Sequence, residues 1–281
     1  GASAGKLAKV ACISLLFLAA LAAVISHQAH VWSAGGVNDE SLNAEFDQTH
    51  AANPTKWMLP KGRMPPVEVC REIIKNFTKA SYASYERHAF GKDEVKPLTG
   101  EGFNWYPSGS LGIGMIDSLD TLLLAGLDEE AERIIDFVTD KNKLDFTKIT
   151  DRVSFFEVTI RVLGGLLSGY HLSQRQGLLD RAVELGDLLL NAATDNGERL
   201  IPRPYPYLNP NRVQRAAQWA ASSVEKKRTS TSIVVLASVQ LEFRTLSHFS
   251  KDPKYDTAVR KWQEIVMSQC TTGRCALGYE D

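Results

Sequence analysis

Cysteine is scarce, with four in 281 residues. Cys12 lies in an apolar stretch and Cys70 stands alone on a predicted helix, so no disulfide framework is present. Cys270 and Cys275 are near enough in sequence to close a small local loop, which an oxidising compartment would permit. A zinc centre there would need two further soft ligands close by, and the sequence supplies none. Charge of one sign is also lacking. Lys+Arg total 32 against 33 for Asp+Glu, a net charge of −1. That balance carries no basic footprint for nucleic acid and no acidic tail. Strand signals are nearly absent, which excludes sheet-based architectures. The chain opens on Gly1 instead of methionine, as expected of a processed chain or a piece of a longer product.

What is present begins with an apolar stretch from Val10 to Ile25, preceded by Lys6 and Lys9. As a helix it would span about 24 Å, short of the ~30 Å hydrocarbon core. Two readings fit: an uncleaved signal anchor lengthened by Leu7 and Ala8, or a signal peptide with Ala20, Ala22 and Ala23 near its cleavage point. In both, the lysines keep the N-terminus cytoplasmic and the rest lies on the lumenal side. Residues 27–63 lack a sustained period and hold Gly35-Gly36 and Asn53-Pro54, the marks of a stem. From Pro66 the periodicity predicts helices over about 66–88, with an apolar face of Val67, Val69, Ile73, Ile74 and Phe77, then over about 112–125, 128–139, 153–173, 177–194, 230–249 and 254–269. Short links between them predict antiparallel helix pairs. The segments 91–109 and 195–229 read as loops, and Arg212, Arg215, Lys226, Lys227 and Arg228 make the second a basic, solvated one. One glycosylation sequon, Asn76-Phe77-Thr78, falls inside a helical pattern.

The stretch 153–173 carries the most information. On a helix Glu157, Arg161, Gly164, Ser168 and His171 recur at offsets of 4, 3, 4 and 3 and stack into one narrow stripe. The remainder is largely apolar, including Phe155, Phe156, Val158, Ile160, Val162, Leu163, Leu166 and Leu167. A helix hydrophobic almost all round is buried, and a carboxylate on it is costly unless paired or wetted. The stripe is therefore expected to face a polar cavity, with Glu157 pointing into a site. Glu157 and Arg161 also form an i,i+4 pair in the favourable order, so a solvated salt bridge and an internal structural ion pair stand beside the functional reading.

These residues resemble a known family. Val153 to Leu172 is similar to the helix V-x-x-F-E-x-T-I-R-x-L-G-G-L-L-S-x-Y-H-L of the class I α-1,2-mannosidases, glycoside hydrolase family 47, and of their degradation-enhancing relatives in the endoplasmic reticulum. Ala89 to Pro97 resembles A-[FW]-G-x-D-E-x-x-P, Ile116 to Leu122 resembles I-D-[AS]-L-D-T-L, and Gln240-Leu241-Glu242-Phe243 with Leu246-Ser247 resembles Q-L-E-F-x-x-L-S. Ile201-Pro202 is similar to the family's I-P turn, and Tyr205 to Asn209 to its Y-x-x-x-N with residues inserted. The resemblance runs over roughly residues 66–265.

The resemblance implies an all-α fold, an (α/α)7 barrel of antiparallel helix hairpins, of which this chain holds about the first three behind an N-terminal membrane segment. The expected organisation is 1–26 signal anchor or signal peptide, 27–63 stem, and 64–281 barrel portion. The type II membrane topology of the family favours the anchor. The implied activity is inverting hydrolysis of α-1,2-linked mannose on high-mannose N-glycans of glycoproteins, in the lumen of the endoplasmic reticulum or Golgi. Glu157 matches the general acid and Arg161 the arginine that contacts the acidic cluster and the sugar. Ca²⁺ is implied as cofactor, although its ligand threonine and the remaining catalytic acids belong to the family's second half. A-E-x-T-S usually precedes Q-L-E-F in active members. Here the glutamate position is Val235, which leans toward divergence or loss of activity. The alternative function is a non-catalytic mannose-glycan-binding protein. A decayed fragment is a third reading. Asp117 and Asp120 are expected to cap or support a helix N-terminus. Trp105 and Tyr106 are expected to pack as lids, with sugar stacking as the alternative.

Overall fold

Three left-handed turns shape the architecture of the described residues. Gly126, Gln174 and Lys251 all take left-handed backbone angles, with φ of 65°, 56° and 62°. Each ends a helix in the αL manner and turns the chain back on itself. In the computed structural model, which describes residues 66–194, 201–215, 230–268, 270 and 278–280, these turns make three antiparallel helix hairpins. The contact pattern separates Gly1–Pro66 from Val67–Asp281, and the second unit is the one described below. The expected membrane segment 1–26 and stem 27–63 lie outside the described residues. Among the described residues no helix is long and apolar enough to cross a membrane.

Helix α1 (Val67–Ala89) leads through a short hairpin, β1 (Glu94–Val95) and β2 (Gly102–Phe103), to α2 (Ile113–Leu124). The first helix hairpin is α2 with α3 (Asp128–Thr139). The second begins with α4 (Phe155–Glu157), continues through a π-helical stretch (Val158–Leu163) into α5 (Gly164–Ser173), and returns in α6 (Gln176–Ala193). The third follows β3 (Ser230–Ser232) and α7 (Ile233–Ser238), and joins α8 (Gln240–Ser250) to α9 (Lys254–Ser268). A strand β4 (Gly278–Glu280) pairs antiparallel with β3.

The helical reading of the sequence holds, with three corrections. The segment 91–109 contains the β1–β2 hairpin, with Glu94 opposite Phe103. The helix expected over 230–249 breaks at Val239, and residues 210–215 of the expected loop are helical. The apolar face expected on α1 is not part of the described core: Val67, Val69, Ile74 and Phe77 stay exposed, and Tyr82 and Ala89 are the residues that α1 buries. Asn76 lies within α1, as its pattern indicated. Cys270 is disulfide-bonded, and Cys275 lies outside the described residues.

One continuous core runs through the three hairpins. The helix spanning 155–173 is its centre, since α2, α6 and α8 all pack against it. The start of this helix is held by aromatics. Phe155 stacks on Phe243 at 6.0 Å and meets Trp262 edge-on at 5.9 Å. Glycine sets how near α2 comes. A Cβ on Gly165 would lie 2.5 Å from the Ile116 carbonyl oxygen, a backbone atom that cannot turn aside. Gly164, one residue earlier, has ordinary room, with Glu242 Cγ at 3.6 Å. Gly165→Ala is expected to force the two helices apart at a cost of about 1–3 kcal/mol, the usual range for overpacking. Gly164→Ala should be nearly neutral. Denaturant midpoints check the contrast, and equal midpoints for the two variants would refute it.

Candidate functional site

Glu157 sits at the start of a helix whose entry is fixed from two sides. The chain before it runs alongside residues 204–207: Val153 N–H donates to Pro206 O and Phe155 N–H to Pro204 O, both at 2.9 Å, and Arg152 bridges Tyr207. Asn209 ties that partner segment down through Nδ2 to Thr147 O at 2.6 Å. Ser154 is the N-cap, and its hydroxyl accepts the Glu157 N–H at 3.2 Å. Ser-x-x-Glu is the sequence of a capping box, in which the glutamate would reach back to the cap's own N–H. Here that N–H donates to the Tyr106 hydroxyl at 3.1 Å instead. The Glu157 carboxylate is left for other work.

That work is an ion-pair triad. Arg161 Nε donates to Glu157 Oε2 at 2.8 Å, and its Nη1 donates to Asp117 Oδ2 at 2.9 Å. The guanidinium also lies over the Trp105 ring, 5.7 Å from its centroid. The two hydrogen bonds, the Glu157 one foremost, hold the Arg161 pKa above its ordinary value. The three side chains are partly exposed, at 32% for Glu157, 38% for Arg161 and 44% for Asp117. At that exposure the pairs contribute little to stability. Their weight lies in orientation. The π-helical stretch Val158–Leu163 follows the acid and contains Arg161, and π turns of this kind recur at functional sites.

The stripe predicted from spacing is the open line of an otherwise buried helix. Gly164, Ser168 and His171 line a cavity of about 500 Å³ with Asp117, Asp120 and Glu242. Ser168 Oγ donates to Asp120 Oδ2 at 2.9 Å, and His171 stacks on Phe249 at 5.8 Å. Glu157 itself is not a wall of this cavity. Arg161 draws its carboxylate along the helix, and Asp117 is the wall residue that joins the pair to the cavity. Trp105 and Tyr106 pack against the core, in keeping with the lid expectation, and each also touches the Glu157 helix.

Asp117 and Asp120 do not cap a helix. Helix α2 begins at Ile113, four residues before Asp117, and its N-cap Gly112 makes no side-chain cap bond. Both aspartates lie inside the helix and turn toward Arg161 and Ser168. Their spacing of three residues was the available signal, since i and i+3 share a helix face. Glu242 was also missed as a site residue. Its motif was quoted, but its place on the cavity wall follows from how α8 packs against Gly164. Val235 packs against the core and brings no charge to the wall.

The geometry defines a class: an array of α/α hairpins with a carboxylate-rich face organised by one arginine. Comparison with known proteins agrees. The sequence profile of Glycosyl hydrolase family 47 matches residues 77–276. The chain is 37% identical over 208 residues to the endoplasmic reticulum mannosyl-oligosaccharide 1,2-alpha-mannosidase of Schizosaccharomyces pombe, covering 74% of this chain and 37% of that protein. It is 34% identical over 235 residues to the protein of the same name from Homo sapiens, covering 81% and 31%. The alpha-1,2-mannosidase from Trichoderma reesei shares the fold with a TM-score of 0.58, at 24% identity over 74% of this chain and 42% of that one. The chain belongs to glycosyl hydrolase family 47. It spans between 31% and 37% of the length of the two curated relatives named.

Burial holds the Glu242 carboxyl above its ordinary value, opposed by one backbone hydrogen bond. Oε2 is buried and makes no hydrogen bond among the described residues. A raised folded-state value means that the folded chain disfavours the ionised form more than the unfolded chain does. The penalty is absent below the ordinary value of 4.5 and is present in full once pH exceeds the raised value. Glu242→Gln is therefore expected to melt above wild type at neutral pH, with the difference closing as pH falls toward about 4. A variant melting at or below wild type at neutral pH would contradict this.

Proposed function

We propose that this chain carries the general acid of an inverting α-1,2-mannosidase that trims α-1,2-linked mannose from high-mannose N-glycans. Glu157 is the acid and Arg161 the substrate-binding arginine. The observation that carries the reading is the carboxylate of Glu157, which does not bond the Ser154 N–H and is held by Arg161 in a helix of the family's sequence. Relatives named as endoplasmic reticulum mannosidases support a setting in the endoplasmic reticulum, and the lumenal side, there or in the Golgi, belongs to the same reading. Attachment to the membrane through residues 1–26 belongs to the same reading.

In inverting hydrolysis one carboxylic acid protonates the leaving oxygen while a second carboxylate activates water on the far face. Glu157 spends Oε2 on Arg161, so Oε1 is the oxygen that would bear the proton. Arg161 fixes the carboxyl's direction and presents a cation beside Asp117, where sugar hydroxyls would dock. Trp105 supplies an apolar face next to that position. The family implies Ca²⁺, which takes six to eight oxygen ligands. Among the described residues no group of three or more His, Cys, Asp or Glu is placed to hold a metal ion. The described acids are therefore not grouped as such a site.

A second reading rests on Val235. An apolar side chain packed against the core stands where active members place a carboxylate. That favours binding of mannose glycans without turnover. In a chain completed with the family's second half, Glu157→Gln separates the readings with a Man9-type glycan. The acid role predicts loss of about 10²–10⁴-fold in cleavage rate, with glycan binding kept because the amide preserves shape. Equal rates for wild type and variant would reduce Glu157 to an ion-pair partner. Binding by both with cleavage by neither would establish the lectin reading.

A further inference from the structure

We propose that Tyr106 is a positioning residue for Glu157: by occupying the Ser154 N–H it keeps the acid out of its own helix cap. The inference deepens the proposed function and rests on Glu157 being the working acid. Ser154 and Glu157 stand at N-cap and N3, the two positions whose side chains exchange bonds in a capping box. One half of that exchange is present, from Glu157 N–H to Ser154 Oγ at 3.2 Å. The other half is diverted, because the Ser154 N–H donates to Tyr106 Oη at 3.1 Å. The carboxylate that would have taken this donor lies on Arg161 at 2.8 Å. A helix N-terminus attracts carboxylates, so without the phenol the N–H is a competitor for Glu157.

The tyrosine is held in place from behind. Asp93 is fully buried and takes the Trp105 N–H on Oδ2 at 3.0 Å. Its Oδ1 takes Ser110 Oγ at 3.0 Å, Leu111 N–H at 2.8 Å and Ile113 N–H at 3.1 Å. One carboxylate thus pins both ends of the loop that carries Tyr106, and also anchors the start of α2. Burial raises the Tyr106 pKa, countered by its bond from Ser154.

The experiment is Tyr106→Phe in the full chain, read by hydrogen exchange at the Ser154 amide and the Arg161 Nε–H, with thermal melting alongside. The phenylalanine removes one oxygen and keeps the packing. Expected is an almost unchanged melt and a protected Ser154 amide, now bonded by Glu157. The Arg161 Nε–H should exchange roughly tenfold faster or more, as loss of a charge-assisted hydrogen bond requires. Where the wild type cleaves an α-1,2-mannobioside, kcat should fall on the order of 10- to 100-fold with KM little changed. A wild type that neither binds nor cleaves the disaccharide would sink the proposed function, while the exchange data would still decide the role of Tyr106. An exposed Ser154 amide with unchanged Arg161 exchange would make Tyr106 a plain cap and overturn the proposal. Loss of the cooperative melt would also overturn it, by making the residue a structural support.

Discussion

The Arg161 guanidinium is the group on which the rest of this site depends. It reaches Glu157 on its own helix, Asp117 on α2 and the Trp105 ring from the loop before α2. Each contact comes from a different part of the chain, so the arginine records whether all three parts are in register. Without it two partly exposed carboxylates on neighbouring helices would lose the cation that orients them both. The reach of the side chain also limits how far apart the helices can lie. Gly165 against the Ile116 carbonyl provides the required approach. Packing and electrostatics are one constraint here.

The same economy governs the first turn of the helix. A capping serine followed three residues later by glutamate ordinarily describes a helix serving its own end. In this fold the segment 204–207 takes the extended approach of the chain, and the phenol of Tyr106 takes the remaining donor. Local needs are met by distant residues, and the glutamate is released. A general acid requires such freedom together with a fixed direction, and the triad supplies the direction.

Much of this arrangement was legible in the sequence. Offsets of three and four residues placed Glu157, Arg161, Gly164, Ser168 and His171 on one line, and that line is the open face of the helix. Periodicity located the first two hairpins to within a residue or two, and the third less well, since the helix expected over 230–249 starts at Ile233 and breaks at Val239. The misses share a cause. Asp117 and Asp120 were read against their immediate neighbours, as caps or supports of a helix N-terminus, and their partners are 44 and 48 residues away. The start of α2 is instead anchored by Asp93, 20 residues upstream. The π turn is equally silent, because periodicity does not distinguish a helix that widens for six residues from one that does not. Nor did the apolar pattern of α1 reveal that its first half would lie at the surface. Pattern shows which side is apolar, and only the fold shows what covers it.

In the proposed function Glu157, steered by Arg161, addresses a sugar seated against the wall of Asp117, Asp120 and Ser168. A crystal structure of the chain with a thio-linked, non-hydrolysable α-1,2-mannobioside tests it most directly. The account places the bridging sulfur within hydrogen-bond reach of the Glu157 carboxyl, roughly 2.6–3.2 Å in the oxygen-linked substrate and somewhat longer for sulfur. The non-reducing ring should lie beside the Arg161 guanidinium. A disaccharide seated elsewhere, with the Glu157–Arg161–Asp117 triad untouched and no sugar atom near it, would contradict the account.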